Sequence, residues 1–164
     1  MSAGITSDFI RRIPKTDLHL HLDGSLRVPT LIELAREQGV ELPSYEEAGL
    51  REQVFKERYA DLPDYLRGFA YTCAVLRTPE ALERTAFELA EDNLAEGVRY
   101  IEVRFAPQLH SDHALPAREV LAAVARGLDR AKRAHNLSPA VRQGSDLPFE
   151  YGIIVCALRS FNAR

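Results

Sequence analysis

The chain has 164 residues, 46% of them apolar and 27% charged, with a formal net charge of −3. That apolar content suffices for a packed core, and mild acidity without a basic run speaks against a nucleic-acid surface. No apolar stretch is long enough to span a bilayer, which argues against a membrane protein.

Met1 to Lys15 carries Arg11, Arg12 and Lys15 but no apolar segment, so it does not read as a secretory signal. The chain then alternates strictly, with Asp17, His19 and His21 on one side and Leu18, Leu20 and Leu22 on the other. Period two is the mark of a strand. The reading puts both imidazoles and the Asp17 carboxylate on one face, with three leucines in a packed layer behind. Asp23-Gly24-Ser25 breaks the pattern as a turn. Pro29 to Gly39 predicts a short helix, with proline at its start and glycine as its stop. Tyr45 to Tyr59 is charged and reads as helical. Asp61 caps a helix from Leu62 to Leu76 with Pro63 in its first turn. Thr78-Pro79-Glu80 opens a further helix that runs to Gly97, with Leu82, Phe87, Leu89, Ala90 and Leu94 for its buried side.

From Val98 to Ala106 the period returns to two. Ile101, Val103 and Phe105 alternate with Glu102 and Arg104, which predicts a second strand with a charged inner face. Pro116 to His135 is helical, carrying Val120, Leu121, Val124 and Leu128. Asn136 to Glu150 reads as a polar loop. Tyr151 to Leu158 is almost wholly apolar, as expected of a strand buried on both faces of a parallel sheet. No repeat or low-complexity segment interrupts this order.

Strands alternating with helices imply βαβ units and parallel pairing. A (β/α)8 barrel needs about 250 residues. The chain therefore reads as α/β: a partial (β/α)8 TIM barrel, its first three parallel strands with their helices, enlarged between the first two strands. The last strand is expected to end shortly before Arg164 with no helix to cover it.

Neutral imidazole is a good zinc ligand, and a catalytic zinc takes about three protein ligands plus an open water position. His19 and His21, two residues apart on one rigid strand, can share one ion. Asp23, just past the strand at the rim, either accepts hydrogen bonds from substrate hydroxyls or serves as a turn or cap residue. Leu62, Tyr65, Leu66 and Phe69 fall at i, i+3, i+4 and i+7 on one helix face: a core-facing stripe, or a lid over a flat ligand. Glu102 and Arg104 read as an ion pair inside the barrel. His110 and His113 follow the second strand on a polar loop and are not taken as ligands. His135, ending a helix, reads as a partner of its dipole. Cys73 and Cys156 lack pairing logic and read as reduced, buried thiols of a cytoplasmic protein. Phosphate-binding glycine loops, a Gly-x-Ser-x-Gly elbow and the cytidine-type zinc deaminase signature do not occur in the sequence.

Pro14 to Ser25 (PKTDLHLHLDGS) resembles the opening of adenosine deaminases, within the metal-dependent amidohydrolase superfamily. Asp61 to Phe69 (DLPDYLRGF) resembles that family's lid helix, and Glu96 to Pro107 (EGVRYIEVRFAP) its second strand. The resemblance covers nearly all of residues 1–164 but only about half of a family member, so the chain is expected to be the N-terminal portion of a single barrel domain. It implies that His19 and His21 are the first two zinc ligands, with one ion per complete site. His21 also lies beside the nucleoside, and Asp23 binds the ribose 5′-hydroxyl. Leu62, Tyr65, Leu66 and Phe69 gate the purine. The implied reaction is hydrolytic deamination of adenosine or deoxyadenosine. The family's third zinc histidine, its glutamate proton donor, a second catalytic histidine and its tandem aspartates are expected beyond residue 164, so no catalytic residue is assigned here and the chain alone is expected to be inactive. Two alternatives remain: a related amidohydrolase acting on adenine or a modified adenosine phosphate, and a non-catalytic module that binds a partner, or itself, through an open sheet edge.

Overall fold

Three parallel strands stand side by side in the order β1 (Lys15–His21), β2 (Val98–Phe105) and β3 (Glu150–Val155). The computed structural model describes residues 4–159. Between the first two strands run α2 (Val28–Gln38), α3 (Glu47–Gln53), α4 (Leu62–Val75) and α5 (Pro79–Ala95); α6 (Ala117–Asn136) and a four-residue α7 (Pro139–Arg142) lie between β2 and β3. This is the opening of a (β/α)8 barrel, as the alternation predicts. The expected lack of a helix after β3 concerns residues 160–164, which lie outside the described residues.

Local chemistry sets the helix ends. The Asp61 carboxylate accepts the Asp64 N–H at 2.8 Å, and Pro63 occupies the first turn of α4. The Thr78 hydroxyl accepts from Ala81 at 3.2 Å to start α5. Gly39 ends α2 at φ 67°, a left-handed conformation that glycine adopts without steric cost. The segment from Tyr45 to Tyr59 is helical only over Glu47–Gln53. The N-terminal α1 (Ser7–Arg12) buries no residue. It is held by a Thr6 cap and by the Lys15 ammonium, which donates to the Ile10 and Ile13 carbonyls at 2.6 and 3.0 Å.

The core forms where β2 meets α5 and α6. Ile101, Val103 and Phe105 are fully buried, in one cluster with Leu82 and Leu89 of α5 and Val120, Val124 and Leu128 of α6. Each such side chain contributes about 1.5–3 kcal/mol by leaving water. Tyr100, Glu102 and Arg104 alternate with them on the opposite face, as predicted. Glu102 and Arg104, however, make no ion pair: Glu102 accepts from the Tyr100 hydroxyl at 3.2 Å and Arg104 donates to the Leu18 carbonyl at 3.2 Å. Glu102 is turned towards Tyr100 on its own strand, while Arg104 reaches across to β1.

β1 departs from strict alternation. Asp17 pairs with Ile101 and Leu20 with Val103, so three steps on β1 match two on β2, and the extra residue is a β-bulge. Asp17 lies with Leu20 towards α5, beside Leu89 and Asp92, rather than with the histidines. Its carboxylate accepts the His19 N–H at 3.1 Å and so braces the bulge. Of the three leucines only Leu22 is fully buried; Leu20 is half-buried and Leu18 is 53% exposed. β3 is likewise only partly buried, with Val155 exposed. Its apolar run predicts a strand buried on both sides, whereas Tyr151 to Ile154 are half-buried and both end residues are exposed.

Arg99 at the start of β2 grips Asp146 through two hydrogen bonds of 2.9 and 2.8 Å, tying β2 to the segment that leads into β3. These bonds hold the Asp146 carboxyl below its usual range. A carboxyl with a depressed folded pKa stabilises fully above its unfolded value, about 3.9, and loses that stabilisation as pH falls through the folded one. Asp146→Asn is therefore expected to cost about 1 kcal/mol at pH 7 and progressively less as the pH falls below the ordinary carboxylate range, read from thermal melts across pH. An equal loss at both ends would exclude the ionised pair as the cause.

Candidate active site

The β1 bulge ends in a tight turn. Gly24 and Ser25 donate from their backbone to His21 and Leu22 at 3.2 Å each, and the Ser25 hydroxyl binds the His21 carbonyl at 2.7 Å. This fixes His19 and His21 side by side, their rings stacked with centroids 5.3 Å apart. Among the described residues neither ring is hydrogen-bonded; Asp23 Oδ1 lies 3.9 Å from His21 Nδ1. Two adjacent, uncommitted imidazoles form a donor pair suited to a borderline divalent metal.

Asp23 stands in the turn just past β1, as expected, but is buried there. It is 6% exposed, and its Oδ1 has no hydrogen-bond partner. It neither caps a helix nor closes the turn; α2 starts from Arg27 without a side-chain cap. An unpartnered buried carboxylate costs several kcal/mol unless a ligand satisfies it. The cap role that the sequence left open is not made in the structure.

The stripe on α4 faces outward. Its core side is Asp64, Gly68, Thr72 and Val75, whereas Tyr65 and Leu66 are exposed and Phe69 is half-buried. Two cavities lie beside them. One, of about 450 Å³, is lined by His19, His21, Ser25, Tyr65, Leu66 and Phe69, within the range of small-molecule sites. The other, of about 200 Å³, joins Asp23 to Phe55, Tyr59, Tyr65, Phe69 and Thr72. The two cavities share Gly24, Tyr65 and Phe69, so the imidazole pair and the carboxylate lie on neighbouring cavities beside one aromatic stripe. Leu62, 65% exposed, lines neither cavity.

Two neighbours of Asp23 carry no assignment from the sequence. His110 is fully buried at the end of a short 3₁₀ turn (Pro107–Leu109) after β2, with no hydrogen bond at either ring nitrogen. The polar stretch around it suggested an exposed loop; instead the turn folds it back beside Phe105, 6.1 Å between centroids. Burial holds its imidazole below the usual range, although Asp23 pulls the other way. The Cys73 thiol reaches Asp23 Oδ2 at 3.8 Å, and burial, reinforced by that carboxylate, pushes it up to about 12. Cys73 is half-buried rather than buried, as is Cys156, and both are free thiols. The readable signal is that Cys73 follows Tyr65 and Phe69 at four-residue spacing, on the same helix face. His113 is exposed, and His135, in the last turn of α6, also contacts the Leu147 carbonyl at 3.0 Å.

A profile described as adenosine deaminase matches residues 14–159. This chain belongs to the adenosine deaminase family. It is 43% identical over 156 residues to a probable adenosine deaminase of Dictyostelium discoideum, covering 94% of this chain and 19% of that protein. It is 46% identical over 126 residues to an adenosine deaminase of Clostridium perfringens strain SM101, covering 76% of this chain and 38% of that protein. Among solved structures, an Arabidopsis N6-mAMP deaminase superposes with a TM-score of 0.66 at 27% identity, over 90% of this chain and 42% of that one. The chain thus spans well under half the length of these relatives. The family is one of hydrolases, and the match covers β1, α4 and β2, where the candidate residues lie.

Proposed function

We propose that these residues are the amino-terminal part of a zinc-dependent adenosine deaminase site, in a single barrel domain of which residues 1–164 are one portion. The observation that carries the reading is the placing of the stacked His19–His21 pair and the buried Asp23, whose Oδ1 lacks a partner, on neighbouring cavities that share Tyr65 and Phe69 of α4. The donor set fits zinc: two imidazoles free of other partners on one braced strand. When bound, zinc lowers the pKa of a water so that a nucleophile exists near neutral pH.

The remaining roles belong to the side chains. His19 and His21 hold the ion, and His21 flanks the nucleoside. Asp23 accepts the ribose 5′-hydroxyl, which supplies the missing partner of its Oδ1. Tyr65, Leu66 and Phe69 close over the purine and exclude water, with Leu62 at the outer edge of that gate. The reaction is hydrolysis of the 6-amino group of adenosine or deoxyadenosine, giving inosine or deoxyinosine and ammonia. Free thiols at Cys73 and Cys156 fit a cytoplasmic setting.

The N6-mAMP deaminase likeness raises a nucleotide as the second reading. Asp23 argues against it, because a buried carboxylate repels a 5′-phosphate where it would welcome a hydroxyl. The test uses the protein as its gene encodes it. Asp23→Ala is expected to lower kcat/KM for adenosine about 10- to 100-fold, the worth of a hydrogen bond to a charged group, and to leave 5′-deoxyadenosine turnover unchanged. Equal losses on both substrates, or a preference of the parent for N6-methyl-AMP or adenine over adenosine, would overturn the assignment.

A further inference from the structure

We propose that Arg104 is a positioning residue: together with Asp17 it holds both ends of the Leu18–His19 peptide and so sets the direction of the His19 imidazole. Its link to a metal rests on the reading of His19 and His21 as ligands, in which Arg104 has no part.

The peptide lies in the β1 bulge. Asp17 stands opposite Ile101 and Leu20 opposite Val103, so Leu18 and His19 fall between paired positions. A bulge disrupts the ladder locally, and the ladder no longer fixes the plane of that peptide. Side chains take over the task. From the α5 side of the sheet, the Asp17 carboxylate accepts the His19 N–H at 3.1 Å. From the opposite face, the Arg104 guanidinium donates to the Leu18 carbonyl at 3.2 Å. That N–H and that carbonyl belong to one planar peptide unit, so the two bonds together fix its rotation. The next atom along is the His19 Cα, and tilting the unit redirects the ring.

Arg104 is committed to this contact. Among the described residues it makes no other side-chain hydrogen bond and has no carboxylate partner, because Glu102, the only acid on β2, is turned to Tyr100 at 3.2 Å. Its Nε is buried without a partner, so no second bond holds the group elsewhere. A bond from a charged donor is stronger than one between neutral groups. Arg104 also stands opposite His21, and its own carbonyl accepts the Leu22 N–H at 3.2 Å. One residue of β2 thus fixes the backbone on both sides of the histidine pair. Groups that orient metal ligands are worth about 10- to 100-fold in affinity.

The test reads the His19 backbone before any metal is added. The protein as its gene encodes it, grown with isotope-labelled histidine, gives few backbone N–H signals, and that of His19 is the one lost in His19→Ala. Arg104→Met removes the donors and leaves the acceptor of the His19 N–H in place. It is nevertheless expected to speed exchange of that N–H with solvent about 10-fold. The His110 N–H, bonded to the Pro107 carbonyl at 3.0 Å, should exchange as in the parent and serves as the control for global opening. Asp17→Ala should act like Arg104→Met, whereas Asp17→Asn, which keeps an acceptor oxygen, and Arg104→Lys, which keeps a charged donor, should stay close to the parent. If Arg104→Met fails to fold, Arg104→Gln, polar but too short to reach Leu18, takes its place. In zinc titrations Arg104→Met and Asp17→Ala should each raise Kd about 10-fold, and the double variant little more, because releasing one end already frees the peptide. Unchanged His19 exchange in Arg104→Met, or single effects that multiply in the double variant, overturns the proposal. Zinc binding that survives His19→Ala would remove the metal reading instead, and the exchange rates would still decide whether Arg104 holds the peptide.

Discussion

His19→Ala is expected to strip stoichiometric zinc from the protein, measured by elemental analysis after dialysis against metal-free buffer. The apparent free energy of a four-ligand protein zinc site is about 10–16 kcal/mol, so one imidazole is worth roughly 3 kcal/mol, or about 100-fold in Kd. If the proposed zinc site is right, deaminase activity of the protein that its gene encodes is expected to fall to background as well. The fold should survive, because the His19 ring lies exposed and makes no hydrogen bond to be lost; the bulge is braced through its backbone N–H, which Ala keeps. Unchanged thermal melting together with lost zinc is the signature. Retained zinc would place the ion elsewhere, and a collapsed melting curve would make His19 structural. His21→Ala should behave alike in metal content, but it also removes the ring that faces Asp23 Oδ1 at 3.9 Å.

The placing of His19 and His21 side by side was legible because residues two apart on a strand project to the same side, and their rings stack. What was not legible is how β1 presents them. Alternation assigned Asp17 to the histidine face, and the bulge reverses that assignment. A bulge depends on the partner strand: nothing within Lys15–His21 reveals that three residues will match two on β2. β2 read correctly throughout its core face, since Ile101, Val103 and Phe105 meet a layer supplied by the chain itself. β3 read too buried: its ends Glu150 and Val155 are exposed and the four residues between them are half-buried.

The α4 stripe shows the same distinction. Periodicity established that Leu62, Tyr65, Leu66 and Phe69 share a face but not which way it points. Gly68 decided that: its missing side chain lets Phe55 pack within 3.1 Å of where a Cβ would stand, turning that side inward and the aromatic stripe out to the cavities. The burial of Asp23 and His110 is a long-range property, created where turns after two different strands meet, and local polarity predicted the opposite.

Gly127→Ala is expected to destabilise the chain by about 2 kcal/mol, within the usual cost of overpacking a core. Helix propensity alone predicts the other sign, since alanine is favoured over glycine by about 1 kcal/mol in a helix interior. Packing decides. α6 buries Val120, Ala123, Val124, Gly127, Leu128 and Ala131, a stripe at helical spacing that lies on α5. A Cβ at Gly127 would fall on the Glu83 carbonyl oxygen, 2.9 Å from the Ala86 Cβ and 3.0 Å from the Phe87 nitrogen. These are backbone or short rigid atoms, so α6 must lift away. Lifting also strains the rim of the crossing, where Arg126 and Arg130 hold Glu83 at 3.0 and 3.3 Å and Arg130 sits 3.8 Å above the Phe87 ring. Urea denaturation should show a lower midpoint at unchanged m-value, with zinc content unaffected because the crossing lies on the outer layer, away from His19 and His21. A variant as stable as the parent would mean that α5 and α6 do not approach as closely as their backbones indicate. A variant that gained stability would return the decision to helix propensity.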